Sequence, residues 1–369
     1  MKLRNNIIVL VCSAMLQVSC ARQIPRSDNF QIPENDAVKE SEEIIGDLLI
    51  KRRIPGMAVV VTKKDSIIWK AGYGYADVRK GEYIDPDKSL FRIASISKTL
   101  SGVGLMKMVE EGVIDLNASV YKYVPDFPKK KYDITIKQLA SHTAGIRTYK
   151  GREFLNRKFM TIHEGLSFFK NDTLLYEPGK GYFYNSNDWN LVAAAMENAS
   201  GYDFEYYMDH QILKPLGLTH IIADKDEKVP NKVQFYSKKG KRGRFVKATR
   251  VNNYYKLASG GYLGSASDIS KFGNEILYND FLKPETKKMM LTKQIVNAVP
   301  TYYGLGWEVS MDHKGRPYYG HFGNGVGGYG YFYVYPKEEM VFVFLTNITN
   351  PKITDEVRTI IDKLITAYK

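Results

Sequence analysis

Apolar and polar positions alternate along this chain in two rhythms, and the change from one to the other divides it. Residues 36–51 place Ala37, Ile44, Ile45, Leu48 and Leu49 on roughly one helical stripe, which the Pro55-Gly56 pair ends. Residues 57–62 form a β-branched run and 66–69 another; Lys63-Lys64-Asp65 between them reads as a turn, so the pair predicts a hairpin. A helix is expected from about 95 to 111, closed by Gly112. From about 105 to 250 the pattern is mostly helical, broken by loops at 125–128, 142–145 and 178–181. After Gly260-Gly261 a further helix is expected over 267–278. The chain then turns strand-like at 318–321, 329–335 and 340–346, and a closing helix over 354–367 carries Val357, Ile360, Ile361, Leu364 and Ile365 on one face.

That order predicts an α/β (α+β) fold: an antiparallel sheet flanked by helices, with an inserted all-helical domain. The sheet domain would comprise 34–104 and 255–369, and the mainly helical insert 105–254. Within the insert, 228–250 stands apart. It holds nine basic residues and no acid, with apolar residues at 233–236 and 245–246 on either side of Lys239-Gly240-Lys241, which predicts a hairpin with a charged tip. The plain reading is a solvated surface, and a face turned to anionic lipid is the alternative. A nucleic-acid partner is not expected, because no nucleic-acid motif accompanies the charge. No internal repeat is visible.

Composition narrows the class. The chain has 369 residues, 44% hydrophobic and 13% aromatic, which excludes a disordered protein and suffices for a sizeable core. Its two cysteines, Cys12 and Cys20, exclude a disulfide-stapled scaffold and a cysteine-rich zinc site, and no metal or cofactor is expected. Both cysteines sit in the first residues. Lys2 and Arg4 precede a short apolar run, 7–16, and then Gln17-Val18-Ser19-Cys20, the layout of a signal peptide over 1–19. The run is too short to stay in a bilayer as an anchor. Cys20 after Ser19 resembles a bacterial lipoprotein acceptor, with 20–33 as the tether; ordinary cleavage after Ala21 is the alternative. The leader predicts an exported protein of the bacterial cell envelope. Cleavage before Cys20 removes two bases and no acid from a net charge of +13.

Chemistry enters at Ser95-Ile96-Ser97-Lys98. On a helix, positions i and i+3 share a face, so the Lys98 amine can reach the Ser95 hydroxyl. A serine is a poor nucleophile until a base takes its proton, and a lysine serves only where burial lowers its pKa. Alone, the pattern is also met by an N-cap serine beside a surface lysine. Further along come Tyr184-Asn185-Ser186, Tyr303-Gly304-Leu305-Gly306-Trp307 and His321-Phe322-Gly323. With these in order, the chain resembles the serine β-lactamase and penicillin-binding-protein superfamily, in its class C and carboxypeptidase-like branch. Segments such as Ser141-His142-Thr143-Ala144-Gly145 and Leu282-Lys283-Pro284-Glu285-Thr286 are similar to the mitochondrial β-lactamase-like serine proteases.

The resemblance implies a β-lactamase/transpeptidase-like fold and a serine hydrolase acting through an acyl-enzyme. Ser95 would be the nucleophile, Lys98 its base or relay, and Tyr184 the partner that accepts and returns the proton. The oxyanion hole would join the Ser95 N–H to that of Asn324, with Ser186, His321 and Gly323 toward the substrate. Two departures matter. Ser186 stands where the family often has asparagine, and His321-Phe322-Gly323 where many members have Lys-Thr-Gly. A histidine is mostly neutral at pH 7, so a fixed cation for a substrate carboxylate is missing. Weak β-lactam hydrolysis is therefore expected, with peptides or esters as substrates and cell-wall peptides containing D-residues among them. A module that binds wall fragments without turnover is the alternative function, and self-assembly stays open. His142 reads as a structural loop residue, Tyr303 and Trp307 as core or pocket wall.

Overall fold

Strand β1, Gly56–Lys63, lies at the heart of the molecule because its two faces feed two different cores. Met57, Val59 and Val61 enter one hydrophobic cluster, and Ala58 and Val60 the other. A strand with both faces covered reads as a continuous apolar run rather than an alternating one. The computed structural model describes residues 24–26, 35–225, 227–240 and 243–369. The predicted leader, Cys20 and most of the tether lie outside the described residues.

β1 is joined by β2, Ser66–Asp77, β3, Glu82–Tyr83, β4, Glu308–Met311, β5, Pro317–Gly325, β6, Gly328–Tyr335, and β7, Met340–Thr346. They form one antiparallel sheet in the order β4-β5-β6-β7-β1-β2-β3. The first and last strand groups therefore meet at the sheet's centre, where Val59 pairs Phe344 and Val61 pairs Phe342. The terminal helices α1, Asp36–Ile50, and α5, Thr354–Ala367, cover one face with Val38, Ile45, Leu48, Val357 and Leu364. On the other face lies α4, Ala266–Tyr278, against β1, β6 and β7. Beyond it are α2, Ser97–Glu110, and α3, Asn187–Ser200, the centre of the helical part.

Strand β2 runs eight residues beyond the expected 66–69. Gly72 and Gly74 blur its pattern in sequence, but Gly72 is required by packing: a Cβ there would stand 2.0 Å from the Ile84 carbonyl oxygen. The basic segment does form a hairpin, Tyr236–Lys239 with Arg244–Lys247. Although it follows the helical stretch in sequence, it sits on the sheet. Tyr236 joins the cluster under α1 and α5, and its N–H donates to the Asn347 carbonyl at 2.9 Å, just past β7. No helix among the described residues is long and apolar enough to cross a membrane.

A small three-stranded sheet, unexpected from sequence, anchors the chain ahead of Ser95. Phe91–Arg92 pairs with Tyr262–Gly264, which pairs with Ile221–Ala223. Arg92 is buried here and bonds Asp224 at 2.6 Å, and Lys232 reaches the same carboxylate at 3.2 Å. Burial alone would raise the Asp224 pKa, but the Arg92 and Lys232 charges hold it below the usual carboxylate value.

Candidate active site

Directly after Phe91–Arg92 the chain makes a tight turn, Ala94–Ile96, that runs into α2 and carries Ser95. Ala94 has φ of 47°, a left-handed conformation that a non-glycine residue adopts only where the surroundings hold it. Strand β5 is what holds it on one side. Gly323 lies so close that a Cβ would come 2.2 Å from the Ile93 carbonyl oxygen.

Lys98 lies one turn along α2 from Ser95 and is fully buried. Its Nζ is 3.2 Å from Ser95 Oγ and donates to the Ser259 carbonyl at 2.6 Å. Burial is the main reason that its pKa falls from 10.5 to about 7; Lys256 pushes the same way, while Asp188 and Glu308 oppose. A substantial fraction of the amine is therefore neutral at physiological pH and able to accept a proton. The Tyr184 hydroxyl also donates to Ser95 Oγ, at 2.8 Å. Tyr184 keeps 37% of its surface open to the cleft, yet desolvation by the walls pushes its pKa up, opposed by the bond to Ser95. The phenol is thus protonated in the resting site, with Lys98 Nζ 4.9 Å from its ring centre. The structure brings Ser95, Lys98 and Tyr184 together around one oxygen atom.

His321 is on β5, where pairing with β4 stops at Gly320. From His321 to Gly325 one edge of β5 therefore has no strand partner among the described residues, and that edge packs against the Ser95 turn. The Phe322 N–H on this edge reaches the Glu308 carboxylate. Backbone groups two residues apart point the same way, so the Asn324 N–H leaves the same edge. His321 Nε2 lies 3.0 Å from the Tyr303 hydroxyl and Nδ1 2.7 Å from the Phe322 carbonyl. Burial, and then the nearby Lys98, push its pKa down to about 3, so the imidazole is neutral throughout the physiological range. It supplies hydrogen-bonding geometry and no charge. Ser186 is the N-cap position of α3, and its hydroxyl makes no capping bond there.

Three contributors are not evident from the sequence. His142, buried at φ 61°, bonds Asp188 through Nδ1 at 2.9 Å and packs against the Tyr184 ring, the two tilted at 60° with centres 4.6 Å apart. Desolvation lowers the His142 pKa and raises that of Asp188, so burial favours the uncharged form of each. Ser259 offers its carbonyl to Lys98 and its hydroxyl to Asn190. Glu308, next to Trp307, faces the site from β4, and burial lifts its pKa to about 8. Only its position in a strand, one residue past the Gly-Leu-Gly-Trp segment, would have marked it. No group of three or more metal-ligating side chains is found among the described residues. A cavity of about 570 Å³ lies against α1 and the basic hairpin and includes none of these residues.

Comparison with known proteins agrees with this geometry. The chain matches the Beta-lactamase family over residues 40–365. It is 29% identical to the mitochondrial serine beta-lactamase-like protein LACTB of Mus musculus, across 82% of this chain and 73% of that one. Among solved structures it is similar to the octameric penicillin-binding protein homologue from Pyrococcus abyssi, with TM-score 0.75, 25% identity and coverage of 85% and 74%. The D-amino acid amidase of Ochrobactrum anthropi SV3 shares the fold at TM-score 0.80 and 19% identity, over 90% of this chain and all of that one.

Proposed function

The chain belongs to the beta-lactamase family and is a serine hydrolase, and from that premise we propose that it acts through an acyl-enzyme on Ser95, with amides or esters of amino acids and short peptides as substrates. The observation that carries this reading is the convergence of Lys98 Nζ and the Tyr184 hydroxyl on Ser95 Oγ, at 3.2 and 2.8 Å. Neutral Lys98 takes the Ser95 proton as Oγ attacks the scissile carbonyl carbon. The oxyanion forms between the N–H groups of Ser95 and Asn324, donors typically worth about 10²–10³ in rate each. Tyr184, already protonated, gives its proton to the leaving nitrogen or oxygen and regains one from Lys98. Water then attacks the acyl carbon, the same groups run in reverse, and Ser95 is restored.

A neutral His321 supports the expectation that carboxylate-bearing β-lactams are poor substrates, since no histidinium stands ready for the carboxylate. The leader supports export, with attachment through Cys20; incorporation of labelled fatty acid that vanishes in Cys20→Ala is the expected result. Substrate class is tested by kcat/KM on nitrocefin, p-nitrophenyl esters, L-peptides and peptides ending in D-residues, each beside Ser95→Ala. Hydrolysis of esters or amides well above nitrocefin, abolished in the variant, is expected. Turnover that survives Ser95→Ala overturns the proposal.

A further inference from the structure

We propose that the cavity beside Tyr184 is a subsite for an ammonium group on the substrate, with Glu308 as its anion and aromatic rings as its walls. This deepens the serine-hydrolase reading and rests on it. The cavity, about 290 Å³, is walled by Tyr182, Tyr184, Tyr302, Tyr303, Tyr318 and Phe322. Tyr303 is buried beneath it, and Tyr182, Tyr302 and Phe322 are exposed at its mouth. Glu308 is the single charged side chain of the lining. Aromatic faces attract cations electrostatically, most strongly where water is excluded; burial raises the Glu308 pKa to about 8, so this carboxyl gives up its proton as an ammonium enters the same walls and then adds a full charge.

Among the described residues Glu308 has no strong cationic partner. His321 Nδ1 lies 3.6 Å away, but that ring is neutral. Lys98 is the cation whose charge bears on it, yet Lys98 is only partly charged near pH 7 and is bonded to Ser95 and Ser259. The Phe322 N–H and the Tyr333 hydroxyl donate to the carboxylate without supplying charge. An entering ammonium completes the pair.

Tyr184 joins the cavity to the chemistry, because the same side chain bonds Ser95 Oγ and forms part of the wall. The ammonium is therefore expected a few bonds from the scissile carbonyl. That describes an amino acid amide or ester, or a peptide cut beside its free amino terminus, and disfavours an N-acylated counterpart.

The test separates binding from turnover. Calorimetric titration with benzylammonium chloride, and with benzyl alcohol as its uncharged match, is run on wild type, Glu308→Gln and Phe322→Ala. Wild type is expected to favour the ammonium by about tenfold or more, with that preference lost in Glu308→Gln and weakened in Phe322→Ala. In kinetics, the ratio of kcat/KM for phenylalanine p-nitroanilide to that for its N-acetyl form should fall at least about tenfold in Glu308→Gln. Equal affinity for the two probes, binding of neither, or a preference that survives in folded Glu308→Gln overturns the subsite. The acyl-enzyme reading fails separately, by the absence of covalent labelling at Ser95.

Discussion

The Tyr184 hydroxyl donates to Ser95 Oγ at 2.8 Å, and Lys98 Nζ reaches the same oxygen at 3.2 Å. Because burial keeps that phenol protonated, its place in the cycle is to deliver a proton, not to remove one from the resting serine. Tyr184→Phe keeps the ring and its contact with His142 while removing the proton. It is expected to lower kcat/KM by about 10²–10⁴, the usual range for a lost general acid. The loss should be greater for amides, whose leaving nitrogen must be protonated, than for p-nitrophenyl esters. Equal losses on both substrates would count against this role.

The base should be visible in the pH profile. Lys98 accepts a proton only when neutral, and burial sets its pKa at about 7. Log kcat/KM for an ester is expected to rise with a slope of about one up to pH 7 and then level. His321, held at about 3, adds no break across the physiological range. A flat profile down to pH 5 would remove Lys98 as the base.

The same burial makes a stability prediction of opposite sign. Unfolded, the Lys98 amine keeps its proton to about pH 10.5; folded, it keeps it only to about 7. Between these values the unfolded chain binds more protons, so stability rises with pH across that window. At and below pH 7 the full cost of the buried amine is present. Lys98→Met is therefore expected to be inactive yet more stable at pH 7, by about 2 kcal/mol after loss of the bond to Ser259. The gain should shrink toward pH 10.5 in urea unfolding. A variant less stable than wild type at pH 7 contradicts this.

The buried pair of Arg92, just ahead of the serine, and Asp224 carries weight of another kind. Arg92 and Asp224 are both buried and 2.6 Å apart. Asp224→Asn leaves Arg92 with an uncompensated charge and is expected to cost about 3–5 kcal/mol. The Asp224 pKa is depressed in the fold, so its contribution is present above the ordinary carboxylate value and lost as pH falls through the folded one. Denaturant midpoints measured from pH 7 downward should converge for the two proteins.

The parts of the fold that could be read in sequence are those with one clean period. The helix expected at 354–367 and the strand at 340–346 appear as Thr354–Ala367 and Met340–Thr346. Where glycine interrupts the pattern, as at Gly72 and Gly74 in β2, the strand ran on unseen. Two-residue pairings such as Phe91–Arg92 depend on partners more than 100 residues away, which no local pattern carries. The nucleophile was legible because three residues suffice to bring Ser95 and Lys98 to one helix face. Glu308 and Asp188 were not, because their importance comes from burial beside Lys98, Tyr184 and His321, a property of packing alone.

The central claim is covalent chemistry at Ser95, and peptide-mapping mass spectrometry tests it most directly. The enzyme is mixed with a fluorophosphonate or a slowly hydrolysed ester, quenched in acid and digested. The account predicts a single adduct, found on the peptide that contains Ser95 and absent from Ser95→Ala. An adduct on another residue, or one that persists in Ser95→Ala, would contradict it.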